Sequence, residues 1–277
     1  MDYDYFGYTL CSGDVNGDAY IDVLVGGFGY SNSKGKVYLY LGSAGGLSTT
    51  DSWTKNGENN YDYFGCDING CDVNGDGYDD LIVGAYGYSN SKGKVYLYLG
   101  SASGLSATES WTKTGENEND WFAYDLSTGD INGDGYSDVI ISSYRYSDGR
   151  GKVYVYVGSA SGLSIGVVWT KEGEGTNNYF GYGVGCAGDV NSDGCDDLLI
   201  GAYGYSSSRG KVYLYLGSLN GLWEEFVWSA VGENDADSFG QCVASAGDVN
   251  DDGLDDIIIA TPIYTSSQYL GKAYLYT

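Results

Sequence analysis

Histidine is absent from the 277 residues, proline and methionine occur once each, and Lys plus Arg number 13 against 38 Asp plus Glu. Without histidine there is no Ser–His–Asp or Cys–His catalysis and no imidazole-ligated zinc. At a formal charge of −25 no basic surface is available to neutralise phosphates, which excludes nucleic acid and anionic membranes as partners. No apolar run approaches the roughly 20 residues that span a bilayer, so no membrane insertion is expected. Met1 is followed at once by Asp2-Tyr3-Asp4-Tyr5, not by the basic and apolar stretch of a signal peptide. Composition alone therefore leaves a cytosolic chain, a mature form or an excised piece. Glycine (46) and tyrosine (30) are abundant, and the hydrophobic share of 42% is enough for a packed core, so acidity here does not mean disorder.

The chain repeats itself, and the repeat decides the architecture. Asp14, Asp72, Asp130, Asp189 and Asp248 each open a D-x-N-x-D segment at spacings of 58, 58, 59 and 59. Lys36, Lys94, Lys152, Lys211 and Lys272 keep nearly the same rhythm, as do Trp53, Trp111, Trp169 and Trp228. Five repeats follow, 1–58, 59–116, 117–174, 175–233 and 234–277, within one domain spanning 1–277. In the second, a first strand begins at Tyr63-Phe64-Gly65 and runs into Asp72. The apolar run Leu81–Ala85 is a buried second strand. A loop rich in Gly, Ser, Asn and Tyr covers residues 86–93. Lys94–Leu99 alternates aliphatic residues with Tyr as a strand should, and Ser110-Trp111-Thr112-Lys113 is the fourth strand. With no helical periodicity anywhere, the fold class is all-β, a five-bladed β-propeller of four-stranded blades. A stacked solenoid is the competing arrangement. The last repeat ends at Gly271–Tyr276 and lacks its outer, Trp-bearing strand. An unpaired edge of that kind is a template for another chain.

The acidic loops between strands 1 and 2 are candidate calcium sites. They read DVNGDAYID, DVNGDGYDD, DINGDGYSD, DVNSDGCDD and DVNDDGLDD. Positions 1, 3, 5 and 9 would present side-chain oxygens and position 7 a backbone carbonyl, as hard divalent cations require. The ligand sets are Asp14, Asn16, Asp18, Tyr20 and Asp22; Asp72, Asn74, Asp76, Tyr78 and Asp80; Asp130, Asn132, Asp134, Tyr136 and Asp138; Asp189, Asn191, Asp193, Cys195 and Asp197; and Asp248, Asn250, Asp252, Leu254 and Asp256. An EF-hand needs Glu at position 12. Here Val25, Val83, Ile141, Ile200 and Ile259 stand there, inside the next strand. A plain polar turn is the bland alternative, but fifteen Asp in five tight clusters would repel one another if empty. About five structural Ca²⁺ are expected, stabilising the fold by mass action. Ala19 replaces the turn glycine in the first loop.

Phe64-Gly65, the loop Asp72–Asp80 and Leu81-Ile82-Val83-Gly84-Ala85 together resemble the FG-GAP repeat, which builds the β-propeller of integrin α chains. The segment Gly100–Ser106 is similar to microbial, secreted versions. The third repeat departs with Phe122-Ala123. Family propellers usually have seven blades against five repeats here, so the chain either closes as a five-bladed ring or is part of something larger. The resemblance implies an extracellular or cell-surface, calcium-bearing recognition or adhesion module for a protein or carbohydrate ligand. It places binding on the face opposite the calcium loops.

On that face the 2–3 loops carry Phe28 and Tyr30, Tyr86 and Tyr88, Tyr144 and Tyr146, Tyr203 and Tyr205, then Tyr264 alone. The 4–1 loops add Tyr61, Trp121 and Tyr179. Tyr30, Tyr88, Tyr146, Tyr205, Tyr61, Trp121 and Tyr179 are the candidate ligand contacts, against the alternative that such rings only pack blade on blade. The repeated Lys reads as a surface charge at a strand start. Self-assembly into a sheath, surface layer or filament through the C-terminal edge strand is the rival function. A carboxylate-dependent hydrolase is remote, because Glu58, Glu116, Glu174 and Glu233 recur in Gly-Glu turns and look structural rather than catalytic. Six cysteines (11, 66, 71, 186, 195, 242) share no place in the repeat, and either cross-blade disulfides or buried thiols are open to them.

Overall fold

The computed structural model describes the backbone of residues 3–265 and 268–277 and the side chains of 3–262 and 271–277. It is all-β, with five antiparallel sheets in chain order. Sheet 1 holds β1 (Thr9–Gly13), β2 (Asp22–Gly27), β3 (Lys36–Tyr40) and β4 (Trp53–Asn56). Sheet 2 holds β5 (Ile68–Cys71), β6 (Asp80–Ala85), β7 (Lys94–Tyr98) and β8 (Trp111–Thr114). Sheet 3 holds β9 (Leu126–Gly129), β10 (Asp138–Ser143), β11 (Lys152–Tyr156) and β12 (Trp169–Glu172). Sheet 4 holds β13 (Phe180–Gly188), β14 (Asp197–Ala202), β15 (Lys211–Tyr215) and β16 (Trp228–Val231). Among the described residues sheet 5 has three strands, β17 (Cys242–Gly247), β18 (Asp256–Thr265) and β19 (Gln268–Tyr276), without the outer strand of the other four, as expected.

The chain divides into two compact bodies, residues 1–126 with 158–163, and residues 127–157 with 164–277. In the first body Leu24, Val37 and Leu39 of sheet 1 meet Phe64, Ile68 and Tyr96 of the second repeat. In the second body Ile140, Val153 and Val155 meet Phe180, Val184 and Tyr213. There too, Leu199, Val212 and Leu214 meet Phe239, Val243 and Ile257. The second strands are continuous apolar runs because both of their faces are covered. Β6 and β14 are buried at every position, as expected of a central strand.

Three of the four Phe-Gly pairs, Phe6-Gly7, Phe64-Gly65 and Phe239-Gly240, precede their strands instead of starting them, as does Phe122-Ala123 in the third repeat, and only β13 begins at its Phe. The residue before the Phe is left-handed in all five repeats, at Tyr5, Tyr63, Trp121, Tyr179 and Ser238. Four of the 2–3 loops form one helical turn each: α1 (Tyr30–Ser33), α2 (Tyr88–Ser91), α3 (Tyr146–Gly149) and α4 (Tyr205–Ser208). Their interiors are left-handed too, with φ of 50° at Ser89 and 59° at Asn90. Such a turn costs roughly 1–2 kcal/mol per L-residue, so something must hold it. The following 4–1 loop does so. Tyr61 and Tyr63 donate backbone hydrogen bonds to Asn32 and Ser33, Asn119 and Trp121 to Asn90 and Ser91, and Ala236 and Ser238 to Ser207 and Ser208. These 2–3 turns are thus clasped by the 4–1 loop that follows them. Tyr264 lies in β18, outside the residues whose side chains are described.

Candidate functional site

The acidic loops fold as nine-residue turns between strands 1 and 2 of each sheet. Position 1 organises them. The Asp72 carboxylate accepts the amides of Gly75 at 2.7 Å and Gly77 at 2.9 Å, and Asp14, Asp130, Asp189 and Asp248 accept the corresponding position-6 amides at 2.8 Å each. Position 3 accepts from position 5, as Asn74 Oδ1 does from Asp76 at 2.9 Å. Position 5 accepts from position 7, in Asp18, Asp76, Asp134, Asp193 and Asp252 alike. Positions 1, 3 and 5 are thereby gathered at the exposed side of the turn. Asn74 Nδ2 donates to Asp76 Oδ2 at 3.0 Å.

Position 9 lies behind them. Asp22, Asp80, Asp138 and Asp197 are fully buried and Asp256 nearly so. Each accepts the amide of position 2, at 2.9–3.1 Å. Asp22, Asp80 and Asp197 also accept, at 2.8 Å, the amide of Gly42, Gly100 and Gly217 that opens the 3–4 turn. Position 9 therefore ties two turns of the same sheet together. Burial, offset by those amides and reinforced by the Asp76 and Asp72 charges, pushes Asp80 up to about 7. Burial likewise pushes Asp197 up to about 6.

One acid escaped the sequence reading. Position 8 is Asp79, Asp196 or Asp255, and each latches one loop to the loop before it by capping the position-1 amide. Asp79 Oδ2 accepts from Asp14 at 2.7 Å, Asp196 from Asp130 at 2.8 Å and Asp255 from Asp189 at 2.9 Å. The signal was the doubled Asp at 79–80, 196–197 and 255–256, against Ile21 and Ser137 in the other loops.

The donor set fits a hard cation in kind, with carboxylate, amide and carbonyl oxygens, but Asp72 Oδ1 already accepts three loop amides and Asp14 Oδ1 two. It is not gathered into a cage, since no group of three acidic or thiol side chains converges on a metal position among the described residues.

At the other end of the sheets the aromatic residues are spoken for by one another. Among the first rings of the loop pairs, Phe28, Tyr86 and Tyr203 stack, while Tyr144 stands edge-on to Tyr179 and Tyr182. Tyr86 lies between Tyr63 and Trp121, with centroids 4.8 Å away on both sides, and Tyr203 stacks on Tyr179 at 5.0 Å. The second ring, Tyr30, Tyr88, Tyr146 or Tyr205, is covered by the repeated lysine: Lys36, Lys94, Lys152 and Lys211 sit 4.8–5.4 Å from these centroids. That corrects the reading of this lysine as a surface charge. The Lys94 and Lys211 side chains are only 12% and 11% exposed and pair with Glu58 and Glu174 at 2.6 Å. A buried ammonium needs such a partner, and the ring faces add cation–π attraction. The Gly-Glu turns thus hold structural acids at Glu58, Glu174 and Glu233, the last paired with Lys272. Of the candidate contacts, Tyr61 is the most open, at 63% exposure. Trp121 and Tyr179 each give one face to a neighbour.

Three of the thiols are quiet. Burial pushes Cys11, Cys66 and Cys186 up to about 12, far from the thiolate that redox or nucleophilic chemistry needs.

Four-stranded antiparallel sheets, an acidic turn between their first two strands and a Phe-Gly pair packed on the preceding sheet define a repeat protein of the propeller-blade type. The chain belongs to the FG-GAP repeat family. FG-GAP repeats match at residues 6–40, 180–215 and 243–276, and an FG-GAP-like repeat matches at 72–141. The chain is 30% identical to integrin alpha-V of Gallus gallus over 227 residues, 75% of this chain and 21% of the relative. It is 32% identical to integrin alpha-8 of Mus musculus over 228 residues, 77% of this chain and 21% of the relative. With integrin alpha-4 of Xenopus laevis the figures are 30% over 208 residues, 72% and 19%. The chain spans about a fifth of the length of these curated relatives.

Proposed function

We propose that this chain is a calcium-stabilised recognition or adhesion module that works outside the cell and has no catalytic activity. The observation that carries the reading is the recurrence of one oxygen-rich loop in every repeat of a chain that is about 30% identical to integrin α chains. Calcium would be held by positions 1, 3, 5, 7 and 9, from Asp14 to Asp22 in the first loop through Asp248 to Asp256 in the fifth. The ion supplies compensating charge for acids that the fold places side by side. Asp72 and its counterparts orient the turn, and Asp80 and its counterparts join it to the 3–4 turn.

A protein ligand fits the opposite end better than a sugar. Sugar stacking needs free ring faces, and Tyr86 gives both of its own, and Trp121, Tyr179 and Tyr203 one each, to neighbouring rings. Tyr61 offers an exposed ring with a hydroxyl, the amphipathic kind of contact common in protein interfaces. The test is binding of the calcium-loaded chain to an array of matrix proteins and an array of glycans, with Tyr61→Ala alongside. Binding to a protein that weakens at least tenfold in Tyr61→Ala supports the reading. Binding only to glycans, or equally well in Tyr61→Ala, overturns it.

A further inference from the structure

The second compact body holds a cavity of about 360 Å³. Val155 and Val157, around the end of β11, and Val168 and Trp169, around the start of β12, form one side of it. The 3–4 turn of sheet 4 forms the other, with Leu219 and Leu222. Trp169 is 6% exposed, and its indole N–H finds no acceptor among the described residues. A buried donor without a partner is unfavourable, so this place favours whatever brings it an acceptor.

The equivalent tryptophan of the first body does have its acceptor. Trp53 stands edge-on to Tyr98 at 5.3 Å and 67°, and Trp169 stands edge-on to Tyr215 at 5.3 Å and 71°. The two indoles are therefore held alike, each turned toward the 3–4 turn of the following sheet. Trp53 donates to the Ser106 carbonyl of that turn at 3.2 Å. The turn opposite Trp169 keeps its other anchors. The Trp223 amide donates to Leu216 at 2.9 Å, as the Ser106 amide does to Leu99 at 2.8 Å. Lys171 donates to the Glu224 carbonyl, as Lys55 does to that of Ala107. Yet the Trp223 carbonyl, the counterpart of Ser106, does not cap the indole. The donor is left facing the cavity.

We propose that this cavity binds a small neutral molecule with an apolar body and one hydrogen-bond acceptor, such as a ketone, whose oxygen does for Trp169 what the Ser106 carbonyl does for Trp53. The ligand class follows from the walls. The volume lies at the lower end of the roughly 300–1,000 Å³ of ligand pockets, so the occupant is small. An ammonium has no acceptor to offer the indole. A carboxylate would meet Asp138 and Glu224, which also border the cavity. The nearby Lys171 would not attract it, because that ammonium is engaged by the Glu224 carbonyl and by Glu225 at 3.4 Å. A neutral carbonyl satisfies the donor and sets carbon against valine and leucine. This inference does not rest on the recognition reading, and its failure would leave that reading intact.

Acetophenone is the probe, and the indole N–H signals of the isotope-labelled tryptophans are the readout, in millimolar calcium. Trp169→Phe assigns the signal of Trp169. Should that variant fail to fold, the contact with Tyr215 assigns it. Acetophenone should move the Trp169 signal downfield and saturably, and leave those of the other five tryptophans in place. Ethylbenzene, of the same shape but without the acceptor, should move it roughly tenfold less at equal concentration. Val168→Phe narrows the cavity from a position that is 54% exposed, so the fold should persist while the response to acetophenone is lost. A Trp169 signal that stays put up to the solubility of acetophenone, that moves as far with ethylbenzene, or that responds unchanged in Val168→Phe overturns the proposal.

Discussion

Phe180 is 1% exposed and sits among Val153, Val155 and Tyr213. Truncating it removes the ring and leaves a cavity that a rigid sheet pair cannot refill. Phe180→Ala should cost about 3–5 kcal/mol, read as a lower urea midpoint with unchanged slope, whereas Phe6→Ala, on an exposed ring, should cost little. Asp67 carries a different penalty. Burial raises its carboxyl to about 7, against the lowering effect of hydrogen bonds from the Leu126 and Ile68 amides and from Asp125. A carboxyl raised in the folded state disfavours the fold once it must ionise. Stability should therefore fall as pH rises from about 4, where the unfolded carboxyl ionises, to about 7. Asp67→Asn should flatten that part of the melting temperature–pH curve, and a curve that keeps its slope in the variant would show the effect lies elsewhere. Glu58 has the opposite sign. Hydrogen bonds from Lys94 and Tyr96 outweigh its partial burial and hold it below the usual range. Its contribution is present above the ordinary Glu pKa and lost as pH falls through the lower, folded value. Because the carboxylate is 43% exposed, Glu58→Gln should cost only about 1 kcal/mol at pH 7. The difference should shrink as pH falls through that lower, folded value, seen in paired thermal melts.

At the level of elements, the left-handed turns α1 to α4 are the least ordinary local structures. A β-branched residue tolerates positive φ worst. Ser89→Val, at φ 50°, should cost about 1–2 kcal/mol beyond any surface effect, while Ser89→Gly should be near neutral because relief of strain offsets the added chain entropy. Calorimetry on the pair separates backbone strain from lost contacts, since Gly removes the same side chain. None of this was legible in the sequence. Ser-Asn-Ser gives no glycine to announce positive φ, and the turn is held by Tyr61 and Tyr63 or their counterparts, almost thirty residues away. What was legible had period and position. The strands Lys94–Tyr98 and Trp111–Thr114 fell within a residue or two of expectation, because alternation and repeat spacing both mark them. The strand start expected at Tyr63-Phe64-Gly65 lies at Ile68 instead, whereas β13 does begin at its Phe, although a left-handed residue precedes the Phe in both. The loop residues were legible as a set, but the division of labour between Asp72, Asp79 and Asp80 depends on which amide each oxygen reaches. The burial of the repeated lysine was invisible for the same reason: Glu58 lies 36 residues before Lys94.

For the whole molecule the dominant quantity is the charge of −25. Five bound calcium ions would bring it to about −15, and each removes repulsion among acids fixed by the fold. A ligand that binds only the folded state adds about 4 kcal/mol per site at a thousand times its dissociation constant. Millimolar calcium should therefore raise the melting temperature by many degrees over EDTA, and titration calorimetry should count about five sites. Asp72→Ala should remove one of them. Magnesium should substitute poorly, because it demands a tighter octahedral shell than these loops present. A melting temperature indifferent to calcium would dismiss the metal reading altogether.

The sheet-to-sheet packing also bears on how such a chain can grow. Phe64 belongs by sequence to the second repeat but completes the core of sheet 1. A duplication of 58 or 59 residues, wherever its breakpoints fall, brings in one new Phe-bearing face and one new aliphatic face already matched to each other. Gene duplication can therefore lengthen or shorten the array without inventing a contact. A deletion that ends out of step with the repeat leaves an orphan face at the scar. The packing therefore constrains the spacing between Asp14, Asp72, Asp130, Asp189 and Asp248 more tightly than it constrains the number of repeats.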